Sequence, residues 1–496
     1  MLTMPTPDPQ ALRDFPAALA AFRRILPERC IVSTRPELRA YECDGLTAYR
    51  QTPLAVLLPE NTAQVAQVLQ ICAQRHINIV PRGAGTSLSG GALPVADGVV
   101  VGLGKLNRIL DVDYANRAVT AQSGVSNLAI THAVEPRGFF YAPDPSSQIV
   151  CTIGGNVAEN SGGVHCLKYG LTTNNVLGIE MVLPGGEVLR LGGKRLEHET
   201  YDLLGLVTGS EGLLGIVTEV TVRILPRPEC AAALLVAFDS IEAAGACVAA
   251  IIALGIIPAG MEIMDRPATH AAEDYCAPGY PRDAQAVLLL EVDGSPSEVA
   301  EEIAGIRAAA KECGATGITQ ADDAVARARM WAGRKAAFPA IGRLAPDYYC
   351  MDGTIPRREL PAVLGRIREL SSEFGLEVAN VFHAGDGNLH PLILYDANMQ
   401  GQLERAEQFG AEILKLCVAH GGVLSGEHGV GVEKRDLMGT MFSEVDLAQQ
   451  QRVKCAFDVD GRFNPGKVFP VLHRCAELGR VHVHAGQTRF PELPRF

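Results

Sequence analysis

Glycine comes in three crowded segments within the first half of the chain, each beside a run that reads as a strand. "PRGAGTSLSGGALP" carries Gly83, Gly85, Gly90 and Gly91. "CTIGGNVAENSGGVHCLKYG" carries Gly154, Gly155, Gly162 and Gly163, with Asn156 and Asn160 among them. "TGSEGLLGIVTE" is the third and runs directly into a strand. Glycine has no Cβ, so such a segment lets another group lie against bare backbone. One segment alone is as well read as a surface turn. Three in one domain fit a long dinucleotide lying along a groove, with phosphates, ring and adenine each touched by backbone.

The familiar nucleotide loops do not account for the first segment. Leu88 stands where G-x-G-x-x-G needs its third glycine, and the strand-like "GVVVGL" follows instead of a helix. Neither Gly90 nor Gly91 is followed by Lys-Ser or Lys-Thr, so the Walker pattern fails as well. The expectation is a diphosphate held by backbone N–H groups and by the hydroxyls of Thr86 and Ser87.

A chain of 496 residues is too long for one core and predicts two or three domains. Residues 1–50 are expected to form a helical segment, on the stripe in "PQALRDFPAALAAFRRIL". Residues 51–228 alternate short strands with helices. They include a hairpin about Pro184-Gly185-Gly186 and end at "GIVTEVTVRILPRP". Residues 229–440 read as a second unit of strands and long helices, and the turn-rich residues 441–496 are expected to fold back toward the first. The fold class is α+β.

A net charge of −12 advertises no nucleic-acid surface. The thirteen cysteines form no C-x-x-C pair, so zinc-ribbon and iron–sulfur spacings are absent. Their odd number, without a secretory signal, fits reduced thiols in a cytoplasmic protein. "ACVAAIIALGIIPAGMEIM" is split by Gly255 and Pro258 into a helix and a strand. Any membrane contact is therefore expected through partners.

In "VFHAGDGNLHPLILYD", His383 and His390 flank a Gly-Asp-Gly turn between strand-like runs. A metal site, an anion-cradling turn and a polar hairpin all fit that stretch by itself. Asp386 is expected to shape the turn.

Three segments, "PRGAGTSLSGGALP", "TIGGNVAENSGG" and "GSEGLLGIVTEVTVRILP", resemble the FAD-binding domain of the vanillyl-alcohol-oxidase superfamily. "HAGDGNLH", "SGEHGVGVEK" and "FNPGK" resemble its FAD-linked oxidase C-terminal domain, in the same order along the chain. "WAGRKAAFPAIGRLAPDYYCMDGTIP" and "FPELPRF" are similar in particular to the D subunits of bacterial glycolate oxidases. The resemblance implies a vanillyl-alcohol-oxidase-type FAD-binding domain joined to an α+β substrate (cap) domain. It implies oxidation of a small 2-hydroxy acid, glycolate in first place and D-lactate as the alternative. A flavin-binding electron-transfer subunit without its own substrate is the alternative of another class.

For the cofactor, the resemblance places Arg82, Gly83, Ala84, Gly85, Thr86, Ser87 and Gly90 at the diphosphate. It places Pro143, Thr152, Gly155 and Asn156 near ring or ribitol, and Gly212 and Ile216 near the adenine end. Thr86 stands where some relatives attach the flavin through histidine, which implies a noncovalent FAD. His383, His390 and Glu427 form a two-histidine, one-carboxylate set suited to a divalent metal, zinc or manganese by the resemblance. His428 is the expected general base, and Arg334 the expected clamp on the substrate carboxylate. Phe338 and Cys350, apolar or small where a second carboxylate would need polar partners, point to a short monocarboxylate. The implied partners are a second flavin-domain-like subunit and an iron–sulfur subunit.

Overall fold

The computed structural model describes residues 4–195, 201–321 and 323–470. The first β-α-β passage follows from its sequence. Asn61 caps the helix Thr62–Gln74 by accepting from the Gln64 N–H, and Val65, Val68, Leu69 and Cys72 form its buried stripe. The helix joins the strands Ala55–Leu57 and Asn78–Arg82, which run parallel on either side of the fully buried strand Gly98–Gly102. Ile31–Val32 completes this four-stranded sheet at one edge.

A second, antiparallel sheet has the order Ile109–Asp113, Ala118–Gln122, Ile216–Arg223, Val176–Val182 and Val188–Gly192. Its last two strands are the hairpin expected about Pro184. The glycine segments leave these sheets at strand ends: one after Asn78–Arg82, one just before Ile216–Arg223.

The strands of the later half build a larger sheet with Cys230–Phe238, Ala286–Gly294, Gly260–Asp265 and Val378–His383 at its centre. Both faces are covered, and the period of two shows it. Leu234, Val236 and Phe238 enter one core with Leu288 and Leu290. Ala233, Leu235 and Ala237 enter the opposite core with Val287 and Leu289. Such strands read as unbroken apolar runs, as they do here.

Two sequence expectations change. The N-terminal segment is helical only over Pro9–Ile25. A 3-10 turn, the short strand Ile31–Val32 and a helical turn at Arg35–Leu38 follow: Pro27 stands just past the first helix, and Pro36 sits in the first turn of the next. The second glycine segment, read only as bare backbone along a groove, contains the helix Ile153–Glu159. Gly154 belongs there because a Cβ would lie 2.5 Å from that of Ser123.

The described end of the chain returns to the first sheet. Ile79 donates to the Arg462 carbonyl at 2.9 Å and accepts from the Asn464 N–H at 2.7 Å. Phe463, 1% exposed, enters the core beside Leu57, Ile77 and Val99. The "HVHAGQTRFPELPRF" stretch lies outside the described residues. Phe463→Ala is expected to cost about 3–5 kcal/mol, through the lost burial and the cavity left behind. Urea unfolding of wild type and variant side by side checks it, the first transition moving to lower denaturant.

Candidate active site

The three glycine segments meet around a cavity of about 550 Å³. Arg82 through Leu88 form one wall, and the cavity continues past Thr152, Gly155 and Asn156 to Gly212 and Ile216. The backbone N–H groups from Ala84 through Leu88 find no acceptor among the described residues. A run of backbone donors without partners on the cavity wall suits a diphosphate. Arg82 frames the loop by donating to the Cys43 carbonyl at 2.7 Å and lying over the Tyr41 ring. At Gly85, with φ of +76°, any Cβ would collide with the Arg82 guanidinium. Thr152 caps the helix Ile153–Glu159 through the Gly155 N–H, and its hydroxyl fills the space a Cβ on Gly83 would need.

Two expected cofactor residues stand beside this wall rather than on it. Gly90 packs against Val432, with Gly91 lining the cavity in its place. The Pro143 carbonyl accepts from Asn127 Nδ2 at 3.0 Å, and the lining there is Pro145, Ser146 and Ser147.

The same cavity ends on His383, His390, Glu427 and His428. His383 closes the central strand Val378–His383, and His390 follows the turn, whose Asp386 accepts from the Asn388 N–H at 3.2 Å. Each histidine has its Nδ1 engaged from behind: His383 with Glu262 Oε1 at 2.7 Å, His390 with the Met351 carbonyl at 3.2 Å. Their Nε2 atoms therefore turn toward Glu427 Oε1, at 3.4 Å and 3.1 Å. The other Glu427 oxygen accepts from the Gly162 N–H at 3.0 Å.

These three inward atoms lie within 4.8 Å of one another, a set that fits one divalent cation with open positions. The local field agrees. Burial works against charge on both groups, yet Glu262 and Glu427 hold the His383 imidazolium well above its usual range. His383 and His390 hold the Glu427 carboxyl well below its own. Cys350 forms a second triplet with His390 and His428, but burial pushes its thiol well up, which makes it the weaker ligand.

Glu427 and His428 sit on a loop tied to one buried carboxylate. Asp352, 0% exposed, accepts from the N–H groups of Gly426, Glu427 and His428, from the Ser425 hydroxyl and from Lys434 Nζ. Burial opposes its charge, but Lys434 and the nearby imidazoles keep it well below the usual carboxylate range. The His428 ring stacks on His390 with centroids 4.9 Å apart. Its Nδ1 is buried without a partner among the described residues. Burial holds its pKa down to about 4, so the ring is neutral.

Arg334 is 1% exposed, donates from Nε to Glu262 Oε2 at 2.7 Å, and has a buried Nη2 with no partner among the described residues. It lies behind the lining formed by Lys335, Phe338 and Pro339. Sequence reasoning missed Glu262, Asp352, Glu159, Glu211 and Lys335. A signal existed for Glu262, an acid inside the apolar "GMEIMD" that pairs across the ladder with His383. Asp352→Ala leaves buried Lys434 with only the more distant Glu433, at 3.5 Å, as a counter-charge and is expected to cost about 3–5 kcal/mol. Thermal unfolding measures it, together with loosening of residues 425–434 seen by hydrogen exchange.

A family model described as "FAD binding domain" matches residues 53–192, and "FAD linked oxidases, C-terminal domain" matches residues 227–468. The chain is 54% identical over 483 residues to glycolate oxidase subunit GlcD of Escherichia coli (strain K12), covering 97% of each. It is 31% identical to a D-lactate dehydrogenase of Anaerostipes hadrus, over 91% of this chain and 97% of that one. Among solved structures, p-cresol methylhydroxylase with substrate bound shares the fold, with a TM-score of 0.79 at 18% identity over 93% of this chain and 98% of that one.

Proposed function

The chain belongs to the FAD-linked oxidase family, with a vanillyl-alcohol-oxidase-type fold, and on that premise we propose that it oxidises glycolate to glyoxylate with FAD as electron acceptor. The observation that carries this reading is the continuity of the site. The cavity walled by unpaired backbone N–H groups ends on the imidazole–carboxylate cluster, so a small acid there lies against the cofactor groove.

Bound FAD supplies a two-electron acceptor for hydride from the carbon bearing the hydroxyl. A divalent cation, zinc or manganese, held by His383, His390 and Glu427 would supply Lewis acidity toward the substrate hydroxyl. The rest belongs to the chain. His428, a neutral imidazole on the cavity wall with its ring fixed against His390, receives the hydroxyl proton. Arg334 offers its unpaired Nη2 to the substrate carboxylate, with its orientation set by Glu262. Glu262 thus aligns the carboxylate clamp and His383 together.

Phe338 on the lining and Cys350 beside the histidines are apolar or small where a second carboxylate would need polar partners, which favours a short monocarboxylate. A methyl group in such a pocket changes discrimination by only about 1–3 kcal/mol, so D-lactate is the expected slower substrate. No helix among the described residues is long and apolar enough to cross a membrane. The relative's printed name, a subunit, supports a place in a multi-subunit complex. Electrons leave in that complex through a second flavin-domain-like subunit and an iron–sulfur subunit, which also carry the chain to a membrane face.

Anaerobic mixing of the flavoprotein with glycolate, D-lactate, L-lactate and D-2-hydroxyglutarate tests the reading. Rapid bleaching by glycolate, slower bleaching by D-lactate, and loss of both after chelation are expected. No bleaching by any of them, with flavin and metal both bound, leaves the chain as an electron-transfer subunit. His428→Asn is expected to slow bleaching by about 10²–10⁴-fold with the flavin spectrum unchanged. Glu427→Gln is expected to lose bound metal in elemental analysis.

A further inference from the structure

A second cavity, of about 300 Å³, lies in the seam between the two halves of the chain. Gly162, Leu171 and Asn174 line it from the first half, and Arg357 and Asp386 from the second. Among the described residues, Glu427 is the one common to the linings of both cavities. The partition between them is thin. One Glu427 oxygen rests on the Gly162 N–H at 3.0 Å, and a Cβ on Gly162 would lie 2.7 Å from that oxygen. The seam cavity therefore runs from exposed Asn174 to the back of the imidazole–carboxylate cluster.

Its wall carries an unpaired cation. Arg357 is half-buried and donates from Nε to the Gly385 carbonyl, while its Nη atoms have no partner among the described residues. Asp386 is folded onto its own turn, accepting from the Asn388 N–H at 3.2 Å. A bound FAD occupies the groove of the first cavity, whereas a small acid must come and go at every turnover. The chain carries a net charge of −12, which repels an anion, so a free guanidinium on this path raises the local concentration of one.

We propose that the seam cavity is the passage by which the small 2-hydroxy-acid anion reaches and leaves the site at Glu427, with Arg357 as the cation that draws it in. The inference rests on the proposed oxidation of such an acid.

The experiment separates a passage from a binding site. Narrowing a passage slows entry and exit alike, because both cross the same barrier, and leaves the affinity where it was. Oxalate, a small acid with no hydride to give, is mixed with the FAD-loaded protein, and its association and dissociation are followed by flavin absorbance. Asn174→Trp is expected to lower both rate constants by one common factor with Kd unchanged; Asn174→Phe replaces it if flavin content falls. Arg357→Gln is expected to slow association about tenfold at low salt, with the difference from wild type closing at high salt. Arg357→Lys keeps the charge and is expected to stay close to wild type.

Rates unchanged in both the Trp and Gln variants would overturn the proposal. So would a salt dependence lost in Lys335→Gln instead, which routes the acid past that exposed residue of the first cavity. Equal losses in Arg357→Gln and Arg357→Lys would overturn the recruiting role and leave Arg357 as a brace for the Gly385 turn. Glycolate bleaching of the wild type is recorded alongside. Bleaching with unaltered oxalate rates in the variants overturns this inference alone, and absence of both bleaching and oxalate binding overturns the oxidation with it.

Discussion

A single buried carboxylate holds the reactive loop in shape. Asp352 gathers successive backbone N–H groups, a hydroxyl and the Lys434 ammonium, so residues 425–434 pack around a charge rather than around an apolar core. The loop is rich in glycine and could take many shapes alone. Asp352 selects one, in which Glu427 faces the two histidines and His428 lies flat on His390. A buried ion pair contributes little net stability when its desolvation is counted, but removal of either member strands the other. Its contribution here is to geometry.

The second organising group is Glu262. One oxygen meets His383 and the other meets Arg334, each at 2.7 Å. The imidazole that would bind metal and the guanidinium that would bind substrate therefore share one anchor on one strand. Movement of either is transmitted to the other through a carboxylate that is 1% exposed.

The chain showed its strands and longer helices openly, because their apolar periods are strong: the alternating faces of Cys230–Phe238 and the stripe of Thr62–Gln74 are examples. The glycine segments pointed to a groove because bare backbone has few other uses at that density. The helix Ile153–Glu159 stayed hidden, since its glycines are there for contact with Ser123, which no local pattern reveals. The partners behind the site were hidden for a related reason. Asp352 and Glu262 lie 75 and 165 residues from Glu427 in sequence, and only the closed fold brings them together. His383, His390 and Glu427 were legible as residue types suited to a metal. Their shared aim depends on Nδ1 contacts that sequence does not encode locally.

The tail's return to the first sheet has a consequence for biosynthesis. Asn464 donates to the carbonyls of both Gly91 and Glu211, one from the first glycine segment and one from the third. Ile79, on the edge strand that feeds the first segment, has its N–H and carbonyl taken up by Arg462 and Asn464. A ribosome extending this chain has long since released the residues of the groove before the clasp that fixes them is made. Until then the strand edge at Ile79 is uncapped and the two glycine segments lack their shared tie. A chain truncated before Asn464 has the walls of the groove without the side chain that ties the first glycine segment to the third.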